Sequence, residues 1–209
     1  VLFDLDGTLA DSAALITEHL SAAIVEAGGP RFPPDDLRPL VGPPFEHALP
    51  RLGFTDEQVS IVIETYRASY GAVAATRTPL YPGIRELLER LDGFRLAVAT
   101  SKPEQLAADI VEGLRLTDRF ALVGGADPVA GRTGKGLVVG SVLERLDLDP
   151  KTEPVVMVGD RRHDVEGAAE HGIPTIGVSW GYAADGELSG AELVVADVAD
   201  LEKALRARA

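Results

Sequence analysis

Val1-Leu2-Phe3-Asp4-Leu5-Asp6-Gly7-Thr8 opens the chain, an apolar run that ends in two aspartates one residue apart. Such a run suits a strand buried on both faces, the habit of strands in parallel sheets. Two carboxylates at its end repel each other. The stretch is therefore either an acidic solvated turn or a site that holds both carboxylates beside a cation, and the rest of the chain separates these readings.

Similar β-type runs recur at 94–100 (FRLAVAT), 120–125 (FALVGG), 154–160 (PVVMVGD) and 175–179 (TIGVS). Segments with helical spacing lie between them, the βαβ pattern of a parallel α/β sheet covered by helices. Ile84, Leu87, Leu88 and Leu91 form one apolar helical face after the breaker Pro82-Gly83, and a last helix is predicted over about 197–207. Residues 12–78 contain no convincing strand. Instead Ile16, Leu20, Ala23 and Ala27 share one helical face, and Val59, Val62, Ile63, Tyr66 and Tyr70 share another, with Thr55 and Gln58 at capping-box spacing ahead of it. The expected organisation is an α/β core of residues 1–12 and 80–209, interrupted by an all-helical subdomain over 13–79 that hinges near Asp11 and Tyr81-Pro82.

The bulk composition narrows the partners. With 45% hydrophobic and 25% charged residues the chain matches a soluble globular protein, and a formal charge of −13 argues against nucleic acid or an anionic membrane, which call for basic patches. No cysteine is present, so disulfides and thiolate metal sites are excluded and any metal needs oxygen or histidine ligands, which suits a cytoplasmic setting. No apolar run approaches the roughly 18 residues of a membrane span, and no signal-peptide pattern is seen. The numbering begins at Val1 rather than at a methionine, so a few residues are expected upstream. A monomer or a homodimer is expected.

Open parallel sheets bind ligands at the carboxyl ends of their strands, and the polar residues collect there. Asp4, Asp6 and Thr8 end the first strand, Thr100, Ser101 and Lys102 the second, and Gly159, Asp160 and Asp164 follow a later one, while Lys135 opens the helix after the third. Clustered carboxylates call for a cation, and Mg²⁺ takes one or two carboxylates together with water and a substrate phosphate. Asp4 is then the candidate nucleophile. Asp6, whose proton is favoured by like charge beside it, is the candidate acid and base. Thr8, Thr100 and backbone N–H groups would hold phosphoryl oxygens, with Ser101 and Lys102 as further candidates, and Lys135 would offset charge in the transition state. Asp160 and Asp164, spaced i and i+4, would face one side, one for the metal and one for its water or for Lys135.

Competing readings fail on particular residues. A calcium loop of the EF-hand kind places its glycine later than Gly7 and needs an acid where Leu15 stands. Arg161, Arg162 and His163 read as surface or supporting groups, Tyr66, Arg67 and Tyr70 as helix packing and a solvated charge, and His19, His47 and His171 lack metal-ligand spacing. Gly42-Pro43-Pro44 breaks the helical insertion and is a candidate for gating substrate.

DLDGT, the strand ending in Thr100, the isolated Lys135 and GDRRHD resemble the four ordered motifs of the haloacid dehalogenase superfamily, and they span essentially the whole chain. The resemblance implies a Rossmann-like core with a helical cap and Mg²⁺-dependent phosphatase chemistry through an aspartyl-phosphate. It makes Asp4 the nucleophile and Asp6 the acid/base, with the metal on Asp4, the backbone carbonyl of Asp6, and Asp160. VGPPF, VATSKP, GRTGK and VGDRRHD are more similar to the 5′-nucleotidase-like members than to typical phosphoglycolate phosphatases, which commonly carry Lys-Pro where this chain has Lys135-Gly136. The implied substrate is a small phosphorylated metabolite, first a nucleoside 5′-monophosphate and second 2-phosphoglycolate. The alternatives are a phosphosugar mutase with the same nucleophile and a non-hydrolytic phospho-aspartate signalling or binding protein. A dehalogenase is disfavoured because a departing halide needs no proton from Asp6.

Overall fold

The computed structural model describes residues 1–42 and 45–208. Its sheet has six strands: β1 (Leu2–Phe3), β2 (Ala97–Pro103), β3 (Leu122–Ala126), β4 (Met157–Gly159), β5 (Thr175–Val178) and β6 (Leu193–Val195). All pair in parallel, in the order β3-β2-β1-β4-β5-β6, which is the doubly wound order of Rossmann-like folds. Because β1 is flanked on both sides, its apolar run has no polar face. Leu2 packs with Ala97, Val138 and Met157 on one face, and Phe3 with Val98, Val158 and Ile176 on the other. Complete burial of two such side chains contributes about 1.5–3 kcal/mol each, and Phe3 adds an edge-on contact to Phe120 at 6.4 Å.

Between β1 and Leu80 the described α-helices are α1 (Ala13–Glu26), α2 (Pro34–Leu37), α3 (Phe45–Ala48) and α4 (Asp56–Arg77). The capping box at Thr55 forms as expected: the Thr55 hydroxyl accepts the Gln58 N–H and the Gln58 side chain accepts that of Thr55. The predicted faces of α1 and α4 pack against each other, with Leu20 and Tyr70 fully buried. The chain leaves and rejoins the core at adjacent points. Ala10 and Leu80 form an antiparallel bridge, flanked by Asp11 N–H to Pro79 O and Tyr81 N–H to Leu9 O, both 3.0 Å. Pro43 and Pro44 of the predicted breaker lie outside the described residues.

The remaining helices are α5 (Ile84–Arg90), α6 (Glu104–Gly113), α7 (Lys135–Leu146), α8 (Arg162–Ala169) and α9 (Val198–Arg206). Ile84, Leu87, Leu88 and Leu91 are buried as their spacing predicts, and α9 begins after the Asp197 cap. Two expectations need correction. The sixth strand, β6, was not anticipated: it has only three residues, two of them exposed at the sheet edge, too few for a period to show. The second strand, expected over 94–100, instead spans Ala97–Pro103, where Pro103 pairs with Ala126 past an irregularity in register and also occupies the cap of α6. No described helix is long and apolar enough to cross a membrane.

Candidate active site

Register brings the predicted strand ends to one edge of the sheet. Phe3 stands opposite Val98 and Val158, so Asp4, Thr100 and Asp160 emerge side by side one or two residues later. The turn after Asp6 depends on Gly7, whose φ is +84°, and a Cβ there would lie 2.2 Å from an Asp160 carboxylate oxygen. Only glycine satisfies both the left-handed backbone and the close approach.

Asp4, Asp160 and Asp164 form one buried cluster in which a carboxylate oxygen from each lies within 4.8 Å of the others. Lys135, the first residue of α7, places its ammonium 2.9 Å from Asp4 Oδ1, 2.7 Å from Asp164 Oδ1 and 3.0 Å from the Ala99 carbonyl. Burial opposes the charge on Lys135, but Asp164 and Asp4 outweigh it and hold the ammonium above the usual lysine range. Burial, then Asp164 and Asp4, push the Asp160 carboxyl well above its ordinary value. Burial likewise raises Asp164 to about 6 despite Lys135 beside it. Three carboxylates against one ammonium leave negative charge in excess, and the donors are all oxygen. That composition fits a hard divalent cation such as Mg²⁺.

Not every predicted residue sits where the sequence suggests. Asp160 lies between β4 and α8, outside both, so the i, i+4 helical argument does not apply to it. Asp164 does lie in α8, where it accepts the Arg161 N–H at 3.0 Å and meets Lys135. Thr8, expected on a phosphoryl group, is buried and donates its hydroxyl to Asp160 at 3.2 Å. The Asp6 carboxylate stands apart from the acidic cluster: it accepts from Ser12 Oγ at 2.6 Å and pairs with Lys102 Nζ at 3.0 Å. Lys102, expected at the phosphate, thus has Asp6 as its partner, with the Tyr70 hydroxyl at 3.1 Å. Burial opposes its charge, yet Asp6, Tyr70 and Tyr66 hold the ammonium above the ordinary lysine value.

Asp4, Asp6, Lys135 and Asp164 line one cleft together with Thr100, Ser101, Lys102 and Gly42. Arg161 and His163, read from sequence as supporting groups, line it too. Arg161 donates Nε to Glu187 at 2.7 Å and Nη1 to the Val41 carbonyl of the insertion. Burial, Arg161 and Arg162 hold the His163 imidazole below its usual value. Sequence reasoning also missed Trp180, Gly181 and Tyr182. The Tyr182 N–H donates to Asp160 at 2.7 Å, its hydroxyl accepts the Ser12 and Ala13 N–H groups, and the Trp180 indole donates to the Thr8 carbonyl. A Cβ on Gly181 would meet Asp160 at 2.3 Å. Their signal was positional, since they follow β5 at the same edge as the other polar strand ends.

The profile of haloacid dehalogenase-like hydrolases matches residues 1–178. The chain belongs to this family. Tyrosine-protein kinase PtkA of Mycobacterium tuberculosis is 43% identical over 185 residues, which cover 87% of this chain but 62% of PtkA, so the chain spans under two thirds of that relative. A 5′-nucleotidase of Pseudomonas aeruginosa is 32% identical over 90% of this chain and 86% of its own length. Among solved structures, one described as a predicted phosphatase from Clostridium acetobutylicum superposes with a TM-score of 0.91 at 33% identity, covering 99% of this chain and 97% of that one. The family's fold and the observed sheet order agree.

Proposed function

We propose that the protein is a Mg²⁺-dependent phosphomonoester hydrolase that works through a phosphorylated Asp4 on a small metabolite, a nucleoside 5′-monophosphate first and 2-phosphoglycolate second. The observation that carries this reading is the single ammonium of Lys135 shared by Asp4 and Asp164 beside the buried Asp160. Asp4, Asp160 and the backbone carbonyl of Asp6 would hold the cation, with Asp164 supporting it. When bound, it supplies charge neutralisation for the phosphoryl group.

The chain's own residues then divide two steps. Asp4 attacks phosphorus, so an Asp4 O–P bond forms as the ester P–O bond breaks, and Asp6 gives its proton to the departing oxygen. Asp6 next takes a proton from water, which attacks the phosphorus and releases inorganic phosphate from Asp4. Lys135 offsets the growing negative charge, and Thr100 with nearby backbone N–H groups holds phosphoryl oxygens. Residues 13–79 act as a cap over a core of 1–12 and 80–209. Support for that role comes from Gly42 in the cleft wall and from the Arg161 contact to Val41.

The test is phosphate release from nucleoside monophosphates, phosphoglycolate, sugar phosphates and phosphotyrosine, with Mg²⁺ or with EDTA, and with Asp4→Asn in parallel. Release that needs Mg²⁺ and disappears in the variant is expected; equal release by the variant would overturn the reading. The kinship to a protein named as a tyrosine kinase favours a second reading, in which a tyrosine hydroxyl rather than water accepts the phosphoryl group. ATP-dependent label on tyrosine, without free phosphate from any ester, selects it.

A further inference from the structure

The geometry points to Lys102 as a positioning residue for Asp6, seated in turn by the Tyr70 hydroxyl on α4. The inference rests on the phosphatase reading above and adds a residue pair to it. Asp6 is gripped at both carboxylate oxygens, Oδ1 by the Ser12 hydroxyl and Oδ2 by Lys102. Lys102 is itself held. Its side chain is 5% exposed, and its ammonium lies 3.1 Å from the hydroxyl of the fully buried Tyr70.

Tyr70 has little freedom to move. The Tyr66 ring stacks on it at 5.1 Å and 9°, and Phe45 meets Tyr66 edge-on at 4.9 Å. The chain thus links Asp6 after β1, Lys102 on β2 and Tyr70 on α4, three segments far apart in sequence. An ammonium has three donors, and Asp6 and Tyr70 engage two. Lys135 already stands as the buried cation at Asp4, so the cleft does not need Lys102 for that task. Fixing a carboxyl group at the point where its proton must pass to the leaving oxygen is the kind of orientation that lowers a barrier without adding binding.

Leaving groups separate this role from phosphate binding. An alkoxide needs the Asp6 proton as the P–O bond breaks, whereas 4-nitrophenoxide departs without one. We would measure kcat/KM, which reports transfer to Asp4, for the best alkyl monoester and for 4-nitrophenyl phosphate in the full protein with Mg²⁺. Lys102→Met is expected to lower the alkyl value about 10²-fold while the aryl value changes less than about threefold. Tyr70→Phe removes one oxygen, keeps the ring stack and should show the same pattern at roughly fivefold; it carries the test alone should Lys102→Met not fold. Equal losses on both esters with a raised KM would make Lys102 a phosphate ligand, and no loss or a gain on the alkyl ester would also overturn the proposal. Failure of the phosphatase reading looks different: the unaltered protein would hydrolyse neither ester.

Discussion

The Thr8 hydroxyl donates to the Asp160 carboxylate at 3.2 Å, tying the loop after β1 to the end of β4. A donor behind a metal-binding carboxylate orients it, and removal of such partners costs about 10- to 100-fold in metal affinity. Thr8→Val, nearly the same shape, should therefore raise the Mg²⁺ concentration for half-maximal activity about tenfold, while Thr8→Ser keeps it. A raised ester KM at unchanged Mg²⁺ dependence would instead return Thr8 to the phosphoryl group.

Lys135→Met leaves the buried carboxylates of Asp4 and Asp164 without their counter-charge. Breaking a buried pair by removing one partner typically costs about 3–5 kcal/mol. Urea unfolding should show a loss of that order, and turnover should fall by at least about 10²-fold. Full activity would dismiss the lysine from the mechanism.

Metal removal should expose a pH dependence. Asp160 and Asp164 have carboxyl values raised in the folded chain, Asp164 to about 6. The folded state then binds more protons than the unfolded one, so stability falls as pH rises from the ordinary carboxylate range through about 6. In EDTA the melting temperature should drop between pH 4 and pH 6.5, and millimolar Mg²⁺ should restore it at pH 7. A flat profile in EDTA would refute the buried charge excess.

Glu187→Gln releases the guanidinium that reaches Val41. Burial opposes the Glu187 charge, but Arg161 and the Ala184 and Arg162 N–H groups hold its carboxyl below the ordinary value. Its contribution is present above the usual glutamate range and lost as pH falls through the lowered folded value. The variant should raise KM severalfold with kcat nearly kept, a split readable in steady-state kinetics. An unchanged KM would separate Arg161 from substrate access.

What could be read from sequence divides along physical lines. Phe3, Val98 and Val158 announce a buried parallel sheet because uninterrupted apolar runs have few other uses, and Thr55 with Gln58 announces α4 through chemistry confined to four residues. Asp4, Lys135 and Asp160 fall together because strand order places strand ends together. Side-chain direction was not legible. Nothing within VATSKP says that Lys102 turns to Asp6 and to an aromatic ring thirty-two positions earlier, nor does DLDGT say that Thr8 faces Asp160. The edge strand β6 lacks the length to show a period, and Tyr182 reaches Asp160 through its backbone N–H, which no residue type advertises.

The bridge between Ala10 and Leu80 sets the points where the helical insertion departs and returns one residue pair apart. A segment of almost any length or shape can be spliced across such a gap without stretching the sheet, since loop closure grows only slowly with length. The strand ends then stay fixed while the insertion is exchanged. On the proposed phosphatase reading, a chimera made at these two positions is expected to change substrate preference and keep the reaction, which hydrolysis rates over a panel of monoesters would check.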